Sequence, residues 1–242
     1  MRVFAAPFLA LALFLPDVFP APLAAASASI SGEVTVKGRI VKLKGRTKKF
    51  NPYGAVYKSD KPAAELEQQL LVYLDGYRAA AVSDIKDSVL GQKDRNFTSS
   101  IVPVRAGGHL SITNQDTVKH HIRSETKPWA FNLKPRSPGD SATPKAPSGK
   151  ELDWKAPPEG GLGIVPVYCD IHPHMRAHVL VIESDKYELL PEAGGKFSLK
   201  GLPAGTYTVS AWHPTLKAEP VKVTVKAGEA KRVKLVMLGK QD

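Results

Sequence analysis

From residue 29 onward the chain consists mainly of short runs in which apolar and polar residues alternate with period two, each closed by glycine or proline. The stretches "GEVTVKGRIVKL", "LLVYLDG", "SIVPVRAGGHLSITN", "VPVYC", "AHVLVIE", "GKFSLKG", "GTYTVSAW", "VKVTVKAG" and "AKRVKLVML" all read this way. Period two sends successive side chains to opposite faces of an extended chain, so each run is a strand with one face to bury. Turn signals at close spacing organise such strands into sandwiches or barrels. Helical periodicity is confined to "AAELEQQLL" (63–71), which predicts one short helix, while "AVSDIKDSVL" (81–90) fits either state. The expected fold class is all-β.

The N-terminus differs from everything after it. Arg2 precedes the apolar run "VFAAPFLALALFL", and "LAAASASIS" offers A-x-A patterns at Ala24–Ala26 and Ala26–Ala28. This is the layout of a secretory signal peptide over residues 1–28, broken by Pro16, Pro20 and Pro22 and too short to span a bilayer. No later run approaches membrane length, so the mature chain is expected to be soluble, without an integral membrane segment, and periplasmic. The net charge of +11 survives cleavage, because Arg2 and Asp17 leave together. Basic residues are spread along strands rather than gathered in one arm, and no nucleic-acid-binding motif accompanies them. The charge therefore points to acidic protein partners or anionic envelopes, and away from nucleic acid.

Residues 134–160 ("KPRSPGDSATPKAPSGKELDWKAPPEG") read as a surface loop, rich in Pro, Ser, Gly and Lys. The C-terminal stretch 194–238 is a series of antiparallel strands in which "GLPAGTY" places Gly201, Pro203 and Gly205 at a sharp reversal. It resembles the second half of the carboxypeptidase-regulatory-like domain, a transthyretin-like sandwich of the carbohydrate-binding-like class. The first half of that pattern is matched only far upstream, by "GEVTVKGRIV" (32–41) and "LLVYLDG" (70–76). The resemblance implies one sandwich split in sequence, from 30–83 and 187–239, with a second β domain inserted at 84–186. In the alternative, simple tandem order, 30–83 lends its strands to the middle domain.

Cys169 is the only cysteine, and "CDIHPHMRAHV" surrounds it with His172, His174, His178 and Met175. In an exported chain a single thiol has no disulfide partner, which leaves a reactive group, a buried hydrophobe or a metal ligand. Cys169, His172 and Met175 follow C-x2-H-x2-M in a tight loop between two strands, so all three side chains can converge. Thiolate and thioether are soft ligands and imidazole is intermediate. Two His and one Cys with a distant Met make a blue-copper electron-transfer site. The second histidine must come from elsewhere, and "NQDTVKHHI" offers His120 and His121. Zinc would have no use for the methionine. A Cys–His nucleophile would need an oxyanion motif that does not accompany it.

Taken together, "NQDTVKHHI" and "CDIHPHMRAHV" resemble the cupredoxins, with a short ligand loop of the amicyanin type. The resemblance covers roughly 90–183 and implies a Greek-key barrel with copper held by His120, Cys169, His172 and Met175. It prefers His120 because that residue stands six positions after Asn114. His121 occupies the place where the family commonly has asparagine, and so stays open as the alternate ligand. His174 is the other alternate, and a partner-facing role is favoured for it, while structural roles are favoured for His109, His178 and His213. The expected function is one-electron transfer without enzymatic activity, docking transiently on an acidic redox partner. The rival is a non-redox protein binding carbohydrate or the envelope, or storing copper.

Overall fold

The structure is a computed structural model that describes residues 26–40, 68–78, 87–143 and 163–239. The expected leader lies outside them as far as residue 25. Ala28, within that expected leader, is already the first residue of a strand and is buried.

The described residues form seventeen strands and no helix. In the first half they are β1 (Ala28–Lys37), β2 (Gln69–Asp75), β3 (Ser88–Lys93), β4 (Asn96–Phe97), β5 (Ile101–Arg105), β6 (Leu110–Asn114), β7 (His120–Ser124), β8 (Phe131–Arg136) and β9 (Ser141–Ala142). The second half adds β10 (Gly163–Cys169), β11 (Arg176–Ile182), β12 (Tyr187–Pro191), β13 (Gly194–Leu202), β14 (Gly205–Trp212), β15 (Lys217–Ala218), β16 (Val221–Val225) and β17 (Ala230–Leu238). The molecule is all-β. The helix expected over 63–71 is not formed where it can be seen, because residues 69–71 belong to β2. The rest of that stretch lies outside the described residues.

Four sheets pair into two sandwiches. One sandwich joins the sheet β13-β1-β17-β15 to the sheet β12-β2-β14-β16. Its core includes Ile30, Val34, Leu70, Val72, Leu74, Phe197, Val209, Leu235 and Met237. Within it β1 runs antiparallel to β13 and parallel to β17, with Ser29 opposite Ala230 and Lys37 opposite Leu238. Gly32 lies in the middle of β1, where an added Cβ would sit 2.2 Å from the Val233 carbonyl oxygen and 2.8 Å from the Phe197 ring. Only hydrogen fits between the two strands at this point.

The other sandwich joins β5-β11-β10-β7-β8 to β4-β3-β6-β9. It closes over Leu90, Phe97, Val104, Leu110, Ile122, Trp129, Val165, Val167 and Cys169. β5 and β11 pair in parallel, β10 and β11 antiparallel. Pairing is mixed across these two packed sheets, and the connections cross from one sheet to the other.

A third apolar cluster lies between the sandwiches. Leu71 and Tyr73 of β2 meet Ile101 of β5 and Leu180 and Ile182 of β11, flanked by Ile164, Leu189 and Trp212. This explains the unbroken run "LLVYL" in β2. Leu70, Val72 and Leu74 fill one core while Leu71 and Tyr73 fill the junction, so neither face can be polar. Among the described residues no helix is long and apolar enough to cross a membrane.

Candidate metal centre

β10 and β11 stay in register until Tyr168 faces Arg176, and the chain between them is the loop from Cys169 to Met175. The Arg176 guanidinium stacks over the Tyr168 ring at 5.5 Å, clamping the mouth of the loop. Inside it the Met175 amide donates to the His172 carbonyl at 3.0 Å, which forces a tight turn. The Asp170 amide donates to the His121 carbonyl at 2.9 Å, tying this loop to β7. Cys169 itself pairs with Ile122 of β7.

On β7 the two adjacent histidines point to opposite faces. His120 is fully buried on the side of Cys169. The loop before it is held by Asn114, whose Nδ2 donates to the Val118 carbonyl at 2.9 Å and whose Oδ1 accepts the Asp116 amide at 3.0 Å. His121 faces the other way. Its Nε2 meets the Asn132 Oδ1 of β8 at 2.5 Å, and its Nδ1 lies 3.6 Å from Asp170. Asp170 in turn accepts from Arg123 Nε at 2.8 Å.

Three side chains therefore converge. His120 Nδ1 lies 3.7 Å from Cys169 Sγ, His172 Nδ1 lies 3.6 Å from the same sulfur, and the two Nδ1 atoms are 3.1 Å apart. All three residues are buried, and together they form a group able to hold a metal ion. A near-tetrahedral ion with bonds of about 2.0 Å to nitrogen and about 2.3 Å to sulfur would set these edges at about 3.3–3.6 Å. The observed triangle fits that size. Met175 is fully buried in the same core as Cys169. Of the expected ligands, the structure gathers His120, Cys169 and His172 around one point and buries Met175 in the core that Cys169 belongs to. The alternates fall elsewhere: His121 is turned toward Asn132 and Asp170. His174 is exposed, with its Nε2 donating to the Arg95 carbonyl at 2.7 Å and its ring 6.1 Å from that of His172.

Protonation favours a cation at this point. Burial lowers the pKa of His120, outweighing the Asp116 carboxylate that would raise it. His172 is pushed down to about 4, first by burial and then by the neighbouring His120, His174 and Arg95. Both imidazoles are therefore neutral at pH 7, each with a lone pair to offer. Burial pushes the Cys169 thiol up, against the backbone amides of His121, His172 and Ile171 that favour its anion. An ion binding here would displace the thiol proton, so its affinity should rise with pH.

Two residues at the site were not singled out in the sequence. Asp116, only 7% exposed, places Oδ2 3.1 Å from His120 Nε2. The Nε2–H then donates to the carboxylate, and Nδ1 keeps its lone pair toward the sulfur. Burial alone would raise the Asp116 pKa, but the amides of Arg95 and Thr117 and the His120 ring hold it below the usual carboxylate range. Arg95 is the second. It forms the β3–β4 turn with Asp94, both at positive φ (58° and 51°), and its amide donates to Asp116 while its carbonyl receives His174. The signal for Asp116 was its place four residues before His120. An aspartate there also reads as ordinary turn chemistry.

The model of the β-sandwich domain of ER membrane protein complex subunit 7 matches residues 172–241. Residues 194–238, which lie within that match, were expected to resemble the carboxypeptidase-regulatory-like family, which does not match; what is shown is a β-sandwich. No curated protein sequence matches the chain. Among solved structures, a purple cupredoxin from Nitrosopumilus maritimus aligns at 19% identity over 39% of this chain and 97% of its own, with a TM-score of 0.30. Amicyanin from Paracoccus versutus aligns at 19% identity over 43% of this chain and 89% of its own, with a TM-score of 0.32. A copper-containing nitrite reductase from Thermus scotoductus aligns at 15% identity and TM-score 0.34, over 46% of this chain but only 27% of the enzyme.

Proposed function

We propose that the chain is an exported, non-enzymatic copper protein whose 84–186 unit transfers single electrons at a site formed by His120, Cys169, His172 and Met175. The carrying observation is the buried triangle of two Nδ1 atoms and one Sγ with edges of 3.1–3.7 Å. One thiolate and two neutral imidazoles, with the Met175 thioether buried in the same core, suit copper better than zinc, calcium or magnesium. Copper held there would supply a one-electron couple between Cu(II) and Cu(I).

The protein's own contribution is to keep the donors still. His120 is held by the hydrogen bond to Asp116, and Cys169 by its pairing with β7. His172 is held by the turn closed at Met175. Donors set by strand pairing need little rearrangement between two charge states, which favours fast electron exchange. The surplus of positive charge favours an acidic redox partner docked in a salt-dependent way. In this reading 30–83 and 187–239 make up the sandwich that accompanies the copper unit, and the destination is the periplasm.

The test is optical. Cu(II) added to the mature chain should give an intense thiolate-to-copper band in the visible, absent in Cys169→Ala. His120→Ala should abolish the band and His121→Ala should keep it. A colourless wild type would end the blue-copper reading. A band that cannot be reversibly reduced would leave metal binding and remove electron transfer, favouring copper storage.

A further inference from the structure

The sheet β13-β1-β17-β15 has one face on its own core and the other on solvent. The register assigns each residue to a face. Reading across β13, β1 and β17, the outer rows are Lys200–Ser29–Ala230, Ser198–Ser31–Arg232, Lys196–Glu33–Lys234 and Gly194–Thr35–Val236, with Lys37 beside Leu238 at the end. Five cations, Lys37, Lys196, Lys200, Arg232 and Lys234, thus share a face with one carboxylate, Glu33, and all six are exposed or half-buried. Over the whole chain the ratio of basic to acidic residues is only 34 to 23. The concentration on this face is therefore more than the general charge excess.

Two further features set the chemistry of what would cover it. The positions between the cations carry serine, threonine, glycine and alanine, so the surface is flat and the long basic side chains stand above it. At one end β17 exposes Val236 (40%) and Leu238 (46%), two of the four large apolar residues exposed among the described residues. The outer face of the companion sheet is already occupied, since Leu71, Tyr73 and Trp212 pack against the second sandwich.

We propose that this outer face docks the protein on an anionic phospholipid bilayer. Lysine and arginine meet the phosphates of the headgroup layer, and Val236 and Leu238 enter the boundary beneath it. A flat array of cations beside an apolar tip matches such an interface. A soluble polyanion would satisfy the cations and leave the two apolar side chains in water. Docking this way leaves the second sandwich, with its cluster of His120, Cys169 and His172, on the side away from the bilayer. The proposal does not depend on copper.

The experiment is co-sedimentation of the full mature chain with vesicles of phosphatidylcholine, and with vesicles of equal phosphatidylcholine and phosphatidylglycerol. Binding is expected only to the anionic vesicles and should fade as salt is raised. Lys196→Glu with Lys234→Glu should weaken it by about tenfold or more, at roughly the contribution of one basic residue per site. Lys196→Arg with Lys234→Arg should bind like the wild type, separating charge from folding, and thermal melting should match for all variants. Val236→Ser with Leu238→Ser should weaken vesicle binding while leaving retention on heparin unchanged. Equal binding to both vesicle types, or no effect of the charge reversal, would overturn the proposal. So would a serine variant that binds vesicles like the wild type, which would make the face a site for soluble polyanions.

Discussion

Replacing Asp116 by asparagine removes one negative charge and one accepting oxygen: the amide oxygen can still accept from His120 Nε2, while the amide nitrogen takes the place of the oxygen that accepts from Thr117 and gives up that hydrogen bond. The carboxylate is only 7% exposed and lies 3.1 Å from that nitrogen, with the Thr117 amide donating to its other oxygen at 2.8 Å. A charge bound at Nδ1 sits across the imidazole ring, which places it about 7 Å from the carboxylate when a metal–nitrogen bond of about 2 Å is included. At an effective dielectric constant near 20, a unit change of charge at that distance is worth about 2.4 kcal/mol. With copper bound as proposed, the carboxylate would favour the more positive ion, so Asp116→Asn should make reduction easier. For a one-electron couple this is a rise of about 100 mV, at about 59 mV for each tenfold change in the equilibrium. The assay is a redox titration followed on the visible band, whose retention shows that the donor set is intact. A potential that stays the same or falls, with the band retained, would refute the reasoning. A purely structural Asp116 would move the melting temperature and leave the potential alone.

The other outcomes concern the frame. His178 packs against Trp212 with ring centroids 5.3 Å apart and planes tilted by 60°, and its pKa is pushed down to about 4, first by burial and then by Arg176 and His213. The unfolded chain, with a histidine pKa near 6.5, takes up the proton first, so stability should decline from about pH 7 toward pH 4 by up to about 3 kcal/mol from this group. Melting curves across that range should be flatter for His178→Phe, which keeps a ring against Trp212; parallel curves would count against the burial argument. Gly32→Ala brings a Cβ within 2.2 Å of the Val233 carbonyl oxygen, and denaturant unfolding should show a loss of about 1–3 kcal/mol. If the chain is exported as proposed, leader removal is expected after Ala26, because removal after Ala28 would take a buried residue of β1 that faces Leu202. Mass spectrometry of the exported protein should find Ser27 as its first residue, and a start at Ser29 would contradict this.

The strands were readable because alternation is a local property. "GTYTVSAW" appears as β14 with Tyr207 and Val209 turned into the core. Reading failed where the surroundings of a strand changed its pattern. β2 is apolar on both faces, and its run of leucines following "AAELEQQ" resembles a helix as long as the junction with the second sandwich is unknown. At the site, the C-x2-H-x2-M spacing places three donors on one tight loop by itself. It says nothing about the choice between His120 and His121. Adjacent strand residues point to opposite faces, so that choice is the register of β7 against β8 and β10. The register shifts between His120 and Ile122, a bulge that no periodicity announces. Asp116 stayed hidden for a different reason, since its partner is defined by the fold of its loop.

The pairing of β1 with β13 and β17 has a consequence for how the molecule comes into being. A chain made N-terminus first delivers Ser29 some two hundred residues before Ala230, the neighbour it will lie beside. Until then β1 is an open strand edge without its permanent partners, the kind of segment that invites mispairing. Residues 88–182 contain strands that find their partners among themselves, apart from the contact at the junction. They can close while the final strands are still arriving. The last nine-residue strand then completes the first, and the two distant ends of the chain are sealed in one step. Any loss of the C-terminal strand should strand β1 as well, turning a late truncation into the failure of an early segment.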